Sequence, residues 1–102
     1  MDFEKEVLKS EVPVVVDFYA EWCPPCLVVA EMLEELEGEY RGRVKFVKVD
    51  VDEHEELAEK YEVMSVPTIA IFHRGELVDG MIGVVKKEQL RKRLDALLNG
   101  SG

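Results

Sequence analysis

Val14-Val15-Val16-Asp17-Phe18-Tyr19-Ala20-Glu21-Trp22-Cys23-Pro24-Pro25-Cys26 carries the chain from a valine-rich apolar run into its two cysteines. Residues 14–19 are too few for a helix, and they read as a strand buried on both faces. From Leu27 onward the apolar residues recur at helical period, so the cysteines fall where a strand turns into a helix. The first backbone N–H groups of a helix lack internal partners, and the helix dipole adds partial positive charge there. A thiolate at that point is stabilised, its pKa falls, and it becomes a nucleophile near neutral pH. Two intervening residues allow the same pair to close into a disulfide. The plainer alternative is a pair of inert core cysteines, since free cysteine is often buried. Packing alone does not require Trp22-Cys23-Pro24-Pro25-Cys26 at such a turn.

Outward from this stretch the pattern extends in both directions. Phe3, Val7 and Leu8 predict a short amphipathic helix over 3–10, and Pro13 marks the entry to the first strand. Leu27, Ala30, Leu33, Leu36 and Tyr40 predict one stripe of a long helix over 24–40, stopped between Gly38 and Gly42. Val44 to Val51 reads as a strand, residues 53–61 as a helix around Leu57, Ala58 and Tyr61, and Ile69 to Phe72 as a third strand. His73-Arg74-Gly75-Glu76 is a turn, Leu77 to Ile82 pairs back as a hairpin, and Gly83 breaks the pattern. Leu90, Leu94, Leu97 and Leu98 predict a closing helix. The order α-β-α-β-α-β-β-α implies an α/β fold with a βαβ crossover and a mixed four-stranded sheet flanked by helices.

The 102 residues leave room for one domain, expected over 1–98, with Asn99-Gly100-Ser101-Gly102 as a flexible tail. A hydrophobic share of 47% beside 34% charged residues fits a globular fold rather than disorder. The net charge of −9 disfavours nucleic acid and anionic membranes as partners. No apolar run approaches the roughly 20 residues that cross a bilayer. The charged Met1-Asp2-Phe3-Glu4-Lys5-Glu6 lacks the apolar centre of a signal peptide, so cytoplasmic residence is the expectation.

A Cys-x-x-Cys pair beside a βαβ pattern already suggests a redox motif. The stretch from Val16 to Cys26 resembles the active-site segment of the thioredoxin family nearly throughout. Val66-Pro67-Thr68 resembles that family's loop with a cis proline. Val47-Lys48-Val49-Asp50-Val51-Asp52, the hairpin at Arg74-Gly75-Glu76 and Gly83 also fall where the family has them. The resemblance runs from about Phe3 to Leu98. Three departures stand out. The family opens with an additional strand, which leaves the edge at 44–50 bare here; a monomer is expected, with an edge-strand dimer as the secondary expectation. Pro24 stands where glycine is commoner. Glu31 stands where a kinking proline is frequent, which predicts a straighter helix.

The resemblance implies roles for named residues. Cys23 would be the exposed attacking thiolate and Cys26 the buried resolving thiol. Asp17, a carboxylate inside an apolar strand, is expected to carry a raised pKa and to take the Cys26 proton, with Lys48 moderating it. Trp22, Pro24, Pro25, Val66, Pro67 and Gly83 would form an apolar substrate-binding patch. Met64 is read as ordinary loop packing. Pro24 and Pro25 offer no N–H to the Cys23 sulfur, which is left with the dipole and the Cys26 amide. His54 and His73 read as solvated. Asp50, Asp52, Glu53, Glu55 and Glu56 lack the glycine and spacing of a calcium loop and read as a strand end and a helix start.

These features predict a thiol–disulfide oxidoreductase that reduces disulfides in partner proteins. It would need no dissociable cofactor and would draw electrons from a reductase of the thioredoxin reductase kind. Three alternatives are weighed against it. An oxidase or isomerase would use the same chemistry in reverse. A non-catalytic module would dock partners through the apolar patch. A metal shared between two chains would need ligands beyond the two cysteines of one.

Overall fold

Val14 to Phe18 are buried without a break while their side chains alternate between the two faces of the sheet, and this decides how the layers assemble. The computed structural model describes residues 1–100 and begins with a single π-helical turn, Glu4–Leu8, closed by the Lys9 N–H donating to the Glu4 carbonyl at 2.9 Å. There follow β1 (Val14–Tyr19), α1 (Pro24–Glu39), β2 (Lys45–Asp50), α2 (Glu55–Lys60), β3 (Thr68–His73), β4 (Glu76–Ile82) and α3 (Lys87–Leu98). The sheet order is β2-β1-β3-β4, with β2 parallel to β1 and the other two pairings antiparallel. This is the open mixed α/β sheet that the sequence pattern predicts. The β3–β4 hairpin turns on Arg74 and Gly75 with φ of 54° and 81°, the two left-handed residues of a type I′ turn.

Each face of the sheet carries its own core. Val15, Ile69, Ile71 and Met81 pack against Val29, Leu33 and Leu36 of α1 and Leu90 and Leu94 of α3. On the other face Val14, Val16, Phe18, Val49, Ala70 and Phe72 meet Phe3, Val7, Leu57 and Tyr61. Residues two apart on a strand share a face, so Asp17 takes a position on the α1 side that Val15 fills with hydrocarbon. At its far end α1 is tied to α3. The Tyr40 hydroxyl donates to Asp95 Oδ1 at 2.5 Å, and Arg91 donates to both Glu39 oxygens at 2.7 and 2.8 Å.

Three details differ from the sequence-based expectations, in the first helix, the stripe of α1 and the start of α2. The first helix is one π turn rather than a run over 3–10, because Ser10 to Pro13 lead straight into β1. Leu27 is 70% exposed, and the buried stripe of α1 is instead Cys26, Val29, Leu33 and Leu36. Cys26 occupies the inward position of the first turn, which rotates Leu27 outward. Finally, α2 is shorter than expected, beginning at Glu55 after a turn built on Asp50. In the expected tail, the Asn99 and Gly100 N–H groups donate to the Asp95 and Leu97 carbonyls, and Ser101 and Gly102 lie outside the described residues. Helix α1 itself runs unbroken through Glu31, and β2 forms one edge of the sheet.

Candidate active site

The two cysteines lie at the end of β1 that leads into α1. Cys23 is the N-cap of that helix with extended backbone, φ −106° and ψ 99°, and its N–H donates to the Ala20 carbonyl at 3.3 Å. Pro24 and Pro25 fill the first helical positions, where a missing N–H costs nothing and a fixed φ suits the helix. The Cys26 N–H donates to the Cys23 carbonyl at 3.0 Å. That amide is therefore engaged with backbone rather than directed at the Cys23 sulfur as the sequence predicts. The pair is a disulfide with Cα atoms 5.4 Å apart.

Exposure does not separate the two members. Cys23 is 5% exposed and Cys26 4%, against the expectation of an exposed Cys23. Bonding turns each sulfur toward the other, and Tyr19, Val51 and Val66 pack around the pair. Position separates them instead. Cys23 adjoins exposed Trp22 and Pro24, whereas Cys26 lines a cavity of about 170 Å³ together with Asp17, Tyr19, Glu21, Leu27, Ala30 and Lys48.

Asp17 is 1% exposed, and neither carboxylate oxygen has a hydrogen-bond partner among the described residues. Burial without a donor penalises the charged form. Its pKa is pushed up to about 6 by that burial, partly offset by the nearby positive charge of Lys48. Lys48 is the register partner of Asp17 on β2. Its ammonium, however, sits 4.7 Å from the centre of the Tyr19 ring.

The surroundings of the disulfide are apolar and open. The Val66–Pro67 peptide bond is cis, and Pro67 is buried with Val66 half-buried beside it. Gly83, with φ +85°, donates its N–H to the Pro67 carbonyl at 2.9 Å. A side chain would be strained at that φ, so glycine lets β4 end against the proline loop. Trp22 is 69% exposed, and its indole Nε1–H donates to Asp52 Oδ2 at 2.8 Å. Met64 does not pack into its loop as expected. It is 91% exposed and, with Trp22, Val51, Val63, Ser65 and Val66, lines a notch of about 150 Å³. Asp52 and Tyr19 are the residues that sequence reasoning missed. In the sequence Asp52 is one member of an acidic run, and its pairing with Trp22 spans thirty residues of chain. Tyr19 read only as a strand residue.

The sequence model of the thioredoxin family matches residues 1–96. The chain belongs to the thioredoxin family. It is 45% identical to thioredoxin 1 of Nostoc sp. over 93 residues, covering 91% of this chain and 87% of that protein. It is 44% identical to the thioredoxin of Synechocystis sp. over 96 residues, covering 94% and 90%. Against the mitochondrial thioredoxin of Mus musculus it is 42% identical over 97 residues, 95% of this chain but 58% of that longer protein. Family membership and a cysteine pair at disulfide distance identify the chemistry as dithiol–disulfide exchange, and the chain as a protein-disulfide reductase of the thioredoxin type. Among the described residues no group of three or more His, Cys, Asp or Glu is placed to hold a metal ion, and no helix is long and apolar enough to cross a membrane.

Proposed function

We propose that Cys23 attacks and Cys26 resolves, with Asp17 as the proton acceptor for Cys26. The observation that carries this assignment is the cavity shared by Cys26 and Asp17, which Cys23 does not line. In the reduced protein the Cys23 thiolate attacks one sulfur of a substrate disulfide, and the first substrate thiolate leaves to take a proton from solvent. Cys26 gives its proton to the Asp17 carboxylate and attacks the Cys23 sulfur. The second substrate thiolate departs, the substrate has gained two electrons, and the Cys23–Cys26 disulfide has lost them. A carboxylate whose pKa is raised to about 6 is a stronger base than an ordinary one and is still ionised at neutral pH.

Substrate proteins would dock on Trp22, Pro24, Pro25, Val66, Pro67 and Gly83, with Met64 extending that surface. A flavoenzyme of the thioredoxin reductase kind would return the electrons, and no dissociable cofactor takes part. A single chain carries every group in this scheme, so a monomer is sufficient. Cytoplasmic residence accords with it, because a reductase needs a compartment that keeps its own pair reduced. Cell fractionation tests that placement, with an organelle as the opposing outcome. The chemical assignment is tested by trapping. Cys26→Ser is expected to accumulate a mixed disulfide through Cys23 with a protein substrate, whereas Cys23→Ser forms none. Trapping through Cys26 in Cys23→Ser at the wild-type rate would reverse the roles.

A further inference from the structure

One wall of the cavity between Cys26 and Asp17 is Tyr19, to which the reaction scheme gives no task. Tyr19 and Asp17 lie two apart on β1 and project to the same face. Lys48 pairs with Asp17 across the parallel strands, which places it beside Asp17 and diagonal to Tyr19. Its side chain is long enough to reach either. The ammonium lies 4.7 Å from the ring centroid, within the range of a cation–π contact. The Asp17 oxygens meanwhile have no partner among the described residues. The cation therefore rests on the ring rather than on the carboxylate next to it.

Hydration and neighbouring charge both favour that choice. Burial, Asp50, Glu21 and Glu53 all raise the Tyr19 pKa, in that order ahead of Asp17, so an ammonium on the ring stands in the field of three further acids. There it also keeps its contact with water, which it would give up on entering the cavity.

We propose that Tyr19 is a positioning residue whose ring holds the Lys48 ammonium beside the Asp17 cavity but off the carboxylate, leaving Asp17 free to take the Cys26 proton. The inference rests on the reading of Asp17 given above. In direct contact, an opposite charge lowers a carboxyl pKa by about 1–3 units and occupies the lone pairs that would accept the proton. Held on the ring, Lys48 only moderates the upward push of burial. The other ionisable groups facing the two cavities that meet at Asp17 are Glu21 from the loop after β1, and Glu34 and Glu37 from α1. All three are acids and offer Asp17 no competing cation.

The test follows the Asp17 carboxyl by NMR titration in the oxidised protein. In Tyr19→Leu the ammonium is expected to fall onto Asp17 and move its titration down by about one unit or more. Tyr19→Met serves as a second variant without a ring, and Tyr19→Phe, which keeps the ring, should titrate like the wild type. In a Lys48→Met background Tyr19→Leu should leave the Asp17 titration where Lys48→Met alone puts it. An Asp17 titration that stays put or moves up in both ring-free variants overturns the proposal, as does a downward shift that persists without Lys48. The role of Asp17 is judged separately, by the rate at which Asp17→Asn resolves a preformed mixed disulfide. Unchanged resolution there would remove the proton-transfer reading while the titrations still decide what Tyr19 does to Lys48.

Discussion

Asp17 and Asp50 are two buried aspartates on neighbouring strands, 1% and 8% exposed, and the protein treats them oppositely. Asp50 closes β2, and its Oδ1 accepts the Asp52 N–H at 2.9 Å. Its carbonyl accepts the N–H groups of Glu53 and His54 at 3.2 and 3.0 Å. This is an aspartate shaping a turn by bonding to backbone two residues on. Asp17 lies in mid-strand with no partner for either oxygen among the described residues. Burial by itself marks neither residue as functional. The difference lies in satisfaction: a carboxylate with a backbone donor stabilises the fold, and one without a donor costs stability and keeps its lone pairs free for chemistry.

The comparison breaks most readily on stability against pH. The folded pKa of Asp17, about 6, lies above its ordinary value of 3.8, so the native state binds more protons than the unfolded chain between those values. Stability from this group is therefore greatest at low pH, falls as pH rises through that window, and is level above it. Relative to Asp17→Asn, the wild type is expected to lose about 3 kcal/mol between pH 3 and pH 7. Denaturant melts of both proteins across that range give the difference directly, and parallel curves would mean that Asp17 is satisfied in solution.

Next in size is the kinetic contrast. Asp17→Asn is expected to slow mixed-disulfide resolution about 100-fold, while Asp50→Asn, whose amide oxygen can still accept the Asp52 N–H, should stay near the wild-type rate. Rapid-quench measurements at pH 7 decide it, and equal losses in the two variants would erase the distinction. Asp50→Ala should cost about 1–2 kcal/mol of stability by leaving that N–H without its acceptor, read as a lower denaturant midpoint. The smallest effect sharpens the picture of Asp17 itself. Lys48→Met removes the cation that lowers the Asp17 pKa, so the NMR titration of that carboxyl should move to higher pH.

How far the sequence led varies with the range of the interaction. The strand run at 14–19, the helix behind it and the hairpin at Arg74-Gly75 depend on neighbours in sequence, and they are legible there. The pairing of β2 beside β1 follows from the βαβ order, and with it the proximity of Lys48 to Asp17. The phase of the first turn of α1 is not legible at Leu27, because an apolar residue there completes a plausible stripe and only the inward cysteine shows that it must face out. Met64 reads as loop packing in the sequence, yet it stands exposed between the left-handed Glu62, with φ 55°, and the proline loop. The Trp22–Asp52 bond and the seat of Lys48 on Tyr19 are meetings between side chains on different elements. No spacing rule announces them. Nor does any pattern reveal that the oxidised cysteines are almost equally covered.

The outer flank of β2 has one more consequence. Lys45 and Val51 turn their N–H groups inward, to the carbonyls of Pro13 and Tyr19, so by alternation Phe46 and Lys48 turn theirs to solvent. Deuterium should enter this strand in stripes, quickly at every second amide and slowly at those between. The slow set then times how often the strand peels away from its neighbour, with the fast set as its clock on the same six residues.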